Sequence, residues 1–149
     1  MSLLPDGVTL RDAVPGDEGL VEHFVRQLAI YEKMEHLATG TPEMFAAALF
    51  GTSPRVFALI VEDAGTSIGL ALYYFNFSTF LAQPVLYLED IFVEAAHRGR
   101  GIGRGIFREL ASRALDQGSR VHDDEYWDRQ RGREELQQYD RFLIRASGQ

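Results

Sequence analysis

The chain has no cysteine. That excludes disulfides, thiolate metal sites and cysteine nucleophiles, while leaving the redox compartment open. Its four histidines are scattered without ligand spacing, so the sequence implies no metal. No apolar run approaches the ~20 residues of a membrane-spanning helix. The start Met1-Ser2-Leu3-Leu4-Pro5-Asp6 has neither a basic end nor a long apolar core, so secretion is not signalled and the expected compartment is cytoplasmic. Positive charge is in deficit. A formal net charge of −7 argues against nucleic acid as a partner and weakly favours cationic small molecules. Internal repeats and low-complexity segments are also missing. What is left, at 149 residues with 46% apolar and 25% charged residues, is a soluble globular protein expected to form one domain over residues 1–149.

Within these bounds the pattern alternates strands and helices. Val8-Thr9-Leu10-Arg11 reads as a short strand, and Asp12 to Gly16 as a turn. From Asp17, Leu20, Val21, Phe24, Val25, Leu28 and Tyr31 recur at spacings of three and four, which predicts a helix ending near Lys33 or Met34. A second helix follows Thr41-Pro42-Glu43, with Thr41 as N-cap and Pro42 in the first turn, and runs to about Phe50. Val56 to Val61 suits a buried strand, Asp63 to Ser67 a hairpin turn, and Ile68 to Phe77 the return strand. After a loop over Phe80 to Pro84, Leu86-Tyr87-Leu88-Glu89-Asp90-Ile91-Phe92-Val93 makes the third of three successive antiparallel strands. Gly101 to Gln117 is then a helix with Ile102, Ile106, Leu110 and Leu115 inward and Gly118 as its stop. Beyond it, Val121 to Tyr139 is crowded with charge and predicts no buried central strand, while Phe142-Leu143-Ile144 is a short apolar segment suited to a terminal strand.

The chemistry concentrates at Arg98-Gly99-Arg100-Gly101-Ile102-Gly103. Glycines let a turn bend tightly and approach a ligand, the helix start adds unpaired N–H groups and the positive dipole end, and Arg98, Arg100, Arg104 and Arg108 add positive charge. A diphosphate suits such a turn. The bland alternative is a strand-to-helix connector with solvated arginines. A Walker phosphate loop is excluded because Gly-Lys-Ser/Thr is absent, and a dinucleotide fold because these glycines follow a meander rather than the first strand of a parallel unit. Glu89 and Asp90 sit on the strand that leads into the turn, where alternation points one inward and the other outward. Glu32 and Glu35 lie at a helix end, where carboxylates are ordinary. Tyr73, Tyr74, Phe75, Phe77 and Phe80 fit core or dimer packing, and His97 is expected in solvent.

Several separated motifs together resemble the GNAT superfamily of N-acetyltransferases, and within it the spermidine/spermine (diamine) and thialysine acetyltransferase group. They are Ala29-Ile30-Tyr31-Glu32-Lys33-Met34-Glu35, Tyr73-Tyr74-Phe75, Leu86 to Val93 and Arg98 to Gly103; Asn76-Phe77-Ser78-Thr79-Phe80 is similar to the form common in bacterial members. The resemblance covers Val8 to Gly118. It implies an α+β fold, the GNAT acyl-CoA N-acyltransferase fold, with a mixed, largely antiparallel central sheet flanked by helices. It also implies acetyl-CoA as cosubstrate without a metal, a small-molecule amine as acceptor, and a homodimer.

Residue by residue, the resemblance implies that the strand with Ile91, Phe92 and Val93 splays from its neighbour to leave backbone groups for the pantetheine arm. Gly99, Arg100, Gly101, Ile102, Gly103 and Arg104 hold the pyrophosphate, and Arg98 belongs to the same cofactor site. Glu89 contacts the amine and accepts its proton through water, Asp90 adds negative charge to the cleft, and Tyr31 and Glu32 form the substrate wall. Backbone N–H groups near Val93 stabilise the oxyanion. From Gly118 onward the chain departs from the family pattern. Trp127-Asp128-Arg129 and Tyr139-Asp140-Arg141-Phe142 look like displaced fragments of it, and Tyr139 is the candidate that protonates the departing thiolate. Polyamine-selective members carry an acidic-aromatic pair where this chain has Ser78-Thr79-Phe80, which points to an amine, diamine or amino-acid-like amine. The alternatives are a catalytically impaired CoA-binding or dimerisation module of the same fold, and a protein N-acetyltransferase.

Overall fold

In the computed structural model, which describes residues 4–80, 82–116 and 120–122, the long apolar runs become strands covered on both faces. The order along the chain is β1 (Val8–Asp12), α1 (Glu18–Tyr31), α2 (Pro42–Phe50), β2 (Phe57–Asp63), β3 (Thr66–Ser78), β4 (Gln83–Val93), α3 (Ile102–Asp116) and β5 (Arg120–His122). Among the described residues five strands form one sheet in the order β1-β2-β3-β4-β5. The first three pairings are antiparallel and β4–β5 is parallel, bridged by the α3 crossover. Among the described residues no helix is long and apolar enough to cross a membrane.

Alternation divides the buried side chains between two cores. Leu59, Val61, Ala71, Tyr73, Leu86, Leu88 and Val93 pack with Ile102, Ile106, Phe107 and Leu110 of α3. Ala58, Ile60, Leu70, Leu72 and Phe92 pack on the opposite face with Val21 and Phe24 of α1 and Leu49 of α2. Burial this complete stabilises the fold by about 1.5–3 kcal/mol for each large side chain. A sheet covered by helices on both faces has no reason to be polar on either, which explains the unbroken run through β2.

The local signals act through identifiable contacts. Thr41 caps α2, its Oγ1 accepting from Met44 N at 3.2 Å. Asp17 precedes α1 but turns its carboxylate backward, accepting from Arg11 at 2.7 and 3.1 Å and from Val14 N at 2.8 Å. The arginine holds that carboxyl below its ordinary value, with the bond from Val14 adding to the effect.

Several expectations are corrected. Helix α1 stops at Tyr31 rather than near Lys33 or Met34, because Lys33 takes φ +59°, the left-handed position. Lys33 N then donates to Ile30 O and Met34 N to Ala29 O, closing a Schellman motif without glycine, and a 3₁₀ turn at Glu35–Leu37 follows. Leu115 is not inward: it is 44% exposed, and Ala114 at 1% takes the place beneath Leu110, four residues on. Arg120–His122 forms a three-residue strand that is last in the sheet among the described residues, which agrees with the expectation that the charged stretch from Val121 makes no buried central strand. Gly118, Trp127 and the Phe142-Leu143-Ile144 segment lie outside the described residues.

Candidate functional site

The candidate site begins with a fault in strand pairing. Leu72 lies opposite Asp90 but Tyr73 lies opposite Leu88, so Glu89 is an extra residue in β4. This β-bulge shifts the phase of the strand: Leu86 and Leu88 face the α3 core, and so do Ile91 and Val93 after an interval of three. Asp90 shares the face of its partner Leu72 and is half-buried, whereas Glu89 is exposed. Simple alternation expects one of the two carboxylates inward; the structure instead frees Glu89 from the packing pattern.

Beyond the bulge, β4 loses its second neighbour among the described residues. β5 pairs with Val85, Leu86 and Tyr87, so among the described residues no strand lies beside Glu89 to Val93. The bond from Glu94 N to Ile68 O fixes which peptide groups face which way. Phe92 and Glu94 turn theirs toward β3, and by the two-residue period Ile91 and Val93 turn theirs toward the open edge. Gly69 on β3 allows the close approach on the other side: a Cβ there would stand 2.2 Å from Phe92 O and 3.0 Å from Val93 Cα.

The edge runs into the glycine turn. Gly99 and Gly101 hold φ of +79° and +81°, a conformation costly for other residues, and Arg100 sits between them. Gly105 N donates to Gly101 O at 3.1 Å, the first bond of α3. The N–H groups of Ile102, Gly103 and Arg104 therefore have no acceptor within the helix and point out of its N-terminus. Backbone donors and the positive end of the helix dipole converge here, a setting that suits an anion.

The two arginines of the turn face protein partners. Arg98 Nε donates to Val93 O at 2.6 Å, and its guanidinium carbon lies 4.6 Å from the Tyr31 ring centre and 5.3 Å from that of Phe92. Tyr31, at the end of α1 and 55% exposed, is thereby brought against the turn and the open edge, with Glu32 half-buried beside it. Arg100 Nη1 donates to Asp63 Oδ2 at 2.8 Å, and His97 Nδ1 lies 3.3 Å from both groups. His97, expected in solvent, is half-buried in this cluster, a correction that follows from the short 3₁₀ turn at Ala95–His97 aiming it back at the end of β2. The Arg100 guanidinium holds the Asp63 carboxyl below its ordinary value. Arg104 is exposed near the start of α3.

The structure thus brings Tyr31, Phe92, Val93 and Arg98 to Gly103 together, with Glu89 and Asp90 upstream on the same strand. Tyr139 lies outside the described residues. Among the described residues no group of three or more His, Asp or Glu is arranged to hold a metal. Asp63 falls in the hairpin turn that the sequence predicts, and nothing local to it signals a partner 37 residues away. Tyr73 and Phe75 pack with Phe57, whereas Phe77 and Phe80 are 60% and 102% exposed at the hairpin end.

Residues 21–139 match the acetyltransferase (GNAT) family. The chain belongs to that family. The match extends past Gly118, where the resemblance legible in the sequence ends. This acetyltransferase is 36% identical over 119 residues to the thialysine N-epsilon-acetyltransferase of Bos taurus, covering 74% of this chain and 69% of the relative. It is 31% identical over 121 residues to the spermidine/spermine N(1)-acetyltransferase-like protein 1 of Homo sapiens, covering 74% of this chain and 17% of that protein. Its fold is shared by a predicted acetyltransferase from Clostridium acetobutylicum whose crystal structure contains acetyl-CoA, with a TM-score of 0.63 at 18% identity over 78% of this chain and 79% of that one. The central sheet and flanking helices are those of the GNAT fold.

Proposed function

We propose that this acetyltransferase moves the acetyl group of acetyl-CoA directly onto a primary amine of a small cationic molecule, such as a diamine, polyamine or amino-acid-like amine. The observation that carries the reading is the bulge at Glu89, beside an open β4 edge that leads into the glycine turn. The residues suit acetyl-CoA. Peptide groups of Ile91 and Val93 would pair with the pantetheine arm, and the N–H groups from Gly101 to Arg104 would hold the pyrophosphate, with Gly99 shaping the turn.

Glu89 accepts the ammonium proton through water, and the neutral nitrogen forms its bond to the thioester carbonyl. The Val93 N–H supports the oxyanion; as the adduct collapses the C–S bond breaks, the nitrogen gives up its second proton to water to leave the neutral amide, and Tyr139 supplies a proton to the thiolate. Tyr31, Glu32 and Asp90 line the amine side and attract a cation. The names of the relatives support an amine acceptor, since they include thialysine and spermidine/spermine acetyltransferases. The family resemblance also supports a homodimer, which sedimentation of the full chain checks.

Release of free thiol from acetyl-CoA, measured across a panel of diamines, thialysine, ornithine and polyamines, tests the reading. Turnover with small amines is expected. Binding of acetyl-CoA without thiol release would favour a silent CoA-binding module, and acetylation of peptides alone would favour a protein acetyltransferase.

A further inference from the structure

The turn between β4 and α3 has a structural problem of its own. Two left-handed glycines separated by one residue leave the backbone much freedom to lose, so the turn needs an external tether to keep its N–H groups aligned. Gly99 and Gly101 have no side chain with which to make one; Arg100 does. Its guanidinium is held at 2.8 Å by Asp63, which itself is fixed at the end of β2. Asp63 pairs with Val8 on one side and Thr66 on the other, and the adjoining Ala64 N donates to Gly7 O at 3.0 Å. Gly7 keeps that corner open, since a Cβ there would lie 3.2 Å from Asp63 Oδ1. His97, on the approach to the turn, leans on the same carboxylate oxygen.

We propose that Asp63 is a positioning residue for cosubstrate binding, acting through Arg100 to hold the glycine turn in its anion-binding shape. The proposal rests on the acetyl-CoA reading above. Asp63 touches no reacting atom. It neutralises Arg100 and ties the crest of the turn to the sheet, so the anion is left to the backbone donors. Losing the tether lets the turn sample other shapes and weakens binding by the cost of reordering it, about ten-fold. Turnover at saturation is unaffected, because Glu89 lies within β4 whereas Asp63 ends β2 and Arg100 lies in the turn before α3.

Calorimetry with acetyl-CoA and steady-state kinetics on the full chain test this. The unaltered protein is titrated first; if it does not bind, the acetyl-CoA reading itself fails, independently of Asp63. Given binding, Asp63→Asn is expected to raise the Kd and KM for acetyl-CoA about ten-fold, with kcat at saturation within about two-fold. Asp63→Glu, which keeps the charge, recovers most of the loss. In an Arg100→Ala background, Asp63→Asn has no further effect. Unchanged or tighter binding in Asp63→Asn overturns the proposal, the tighter result meaning that Asp63 withholds Arg100 from a phosphate. Additive losses in the double variant, or a fall in kcat alone, overturn it as well.

Discussion

The guanidinium of Arg98 lies against the ring of Tyr31, 4.6 Å from its centre, joining the glycine turn to the end of α1. The same group donates to Val93 O, so one side chain touches the turn, the open strand edge and the candidate substrate wall. Arg98→Ala is expected to destabilise the fold by about 1–3 kcal/mol, through loss of a charged hydrogen bond and the ring contact. Arg98→Lys should recover little, since an ammonium on a flexible stem cannot reproduce the planar group between two rings. Urea unfolding of the three proteins checks this; full recovery by lysine would contradict it.

Glu89→Gln removes the proposed proton acceptor and keeps its shape. A fall in kcat of about 10²–10⁴ is expected, with the Kd for acetyl-CoA and the melting temperature unchanged. Thiol-release kinetics with calorimetry and thermal melts measure all three. Equal turnover by both proteins would remove Glu89 from the chemistry.

Gly69→Ala presses a methyl group into the β4 backbone, where Phe92 O stands 2.2 Å from the new atom. Backbone held in a ladder yields less readily than a side-chain tip, so a loss of about 1–3 kcal/mol is expected, as for other overpacked sites. Acetyl-CoA binding should weaken too, because Phe92 and Val93 are the residues displaced. Denaturation midpoints and calorimetry on the variant read both effects.

Asp17 supplies a pH dependence whose sign follows from its lowered pKa. Its charge, held chiefly by the Arg11 bond, contributes stability above the ordinary carboxylate value of about 3.9, and that contribution is lost as pH falls through the lower folded value. Asp17→Asn should therefore be less stable than the parent at pH 7, by no more than about 2 kcal/mol at this half-buried site. The difference should shrink on acidification below about pH 4. A gap that stays constant from pH 7 to pH 2 would rule out this ion pair as its source.

Most of the scaffold was legible because strands, helices and their stops are set by neighbours in sequence. Thr41, Pro42 and the helix period of α3 act within a turn or two, and the apolar runs of β2 and β3 admit little but buried strands. The bulge at Glu89 left a signal that alternation alone overlooks: the apolar spacing changes from two, at Leu86 and Leu88, to three before Ile91. Lys33 gave none, since a lysine in the left-handed position is imposed by the chain that follows it. The Asp63–Arg100 contact was beyond reach for a different reason. It joins the end of β2 to the glycine turn, and only the pairing of β2, β3 and β4 brings them together.

The extra residue at position 89 divides β4 into two halves in opposite phase, each with its own packing partners. Strand phase is thus settled by Leu88 and Ile91 on either side, and folding makes no demand on the side chain between them. Selection can then exchange that side chain to suit a new acceptor while the scaffold stays constant. The position where we place the proton acceptor is thus one whose side chain the two cores leave unfixed.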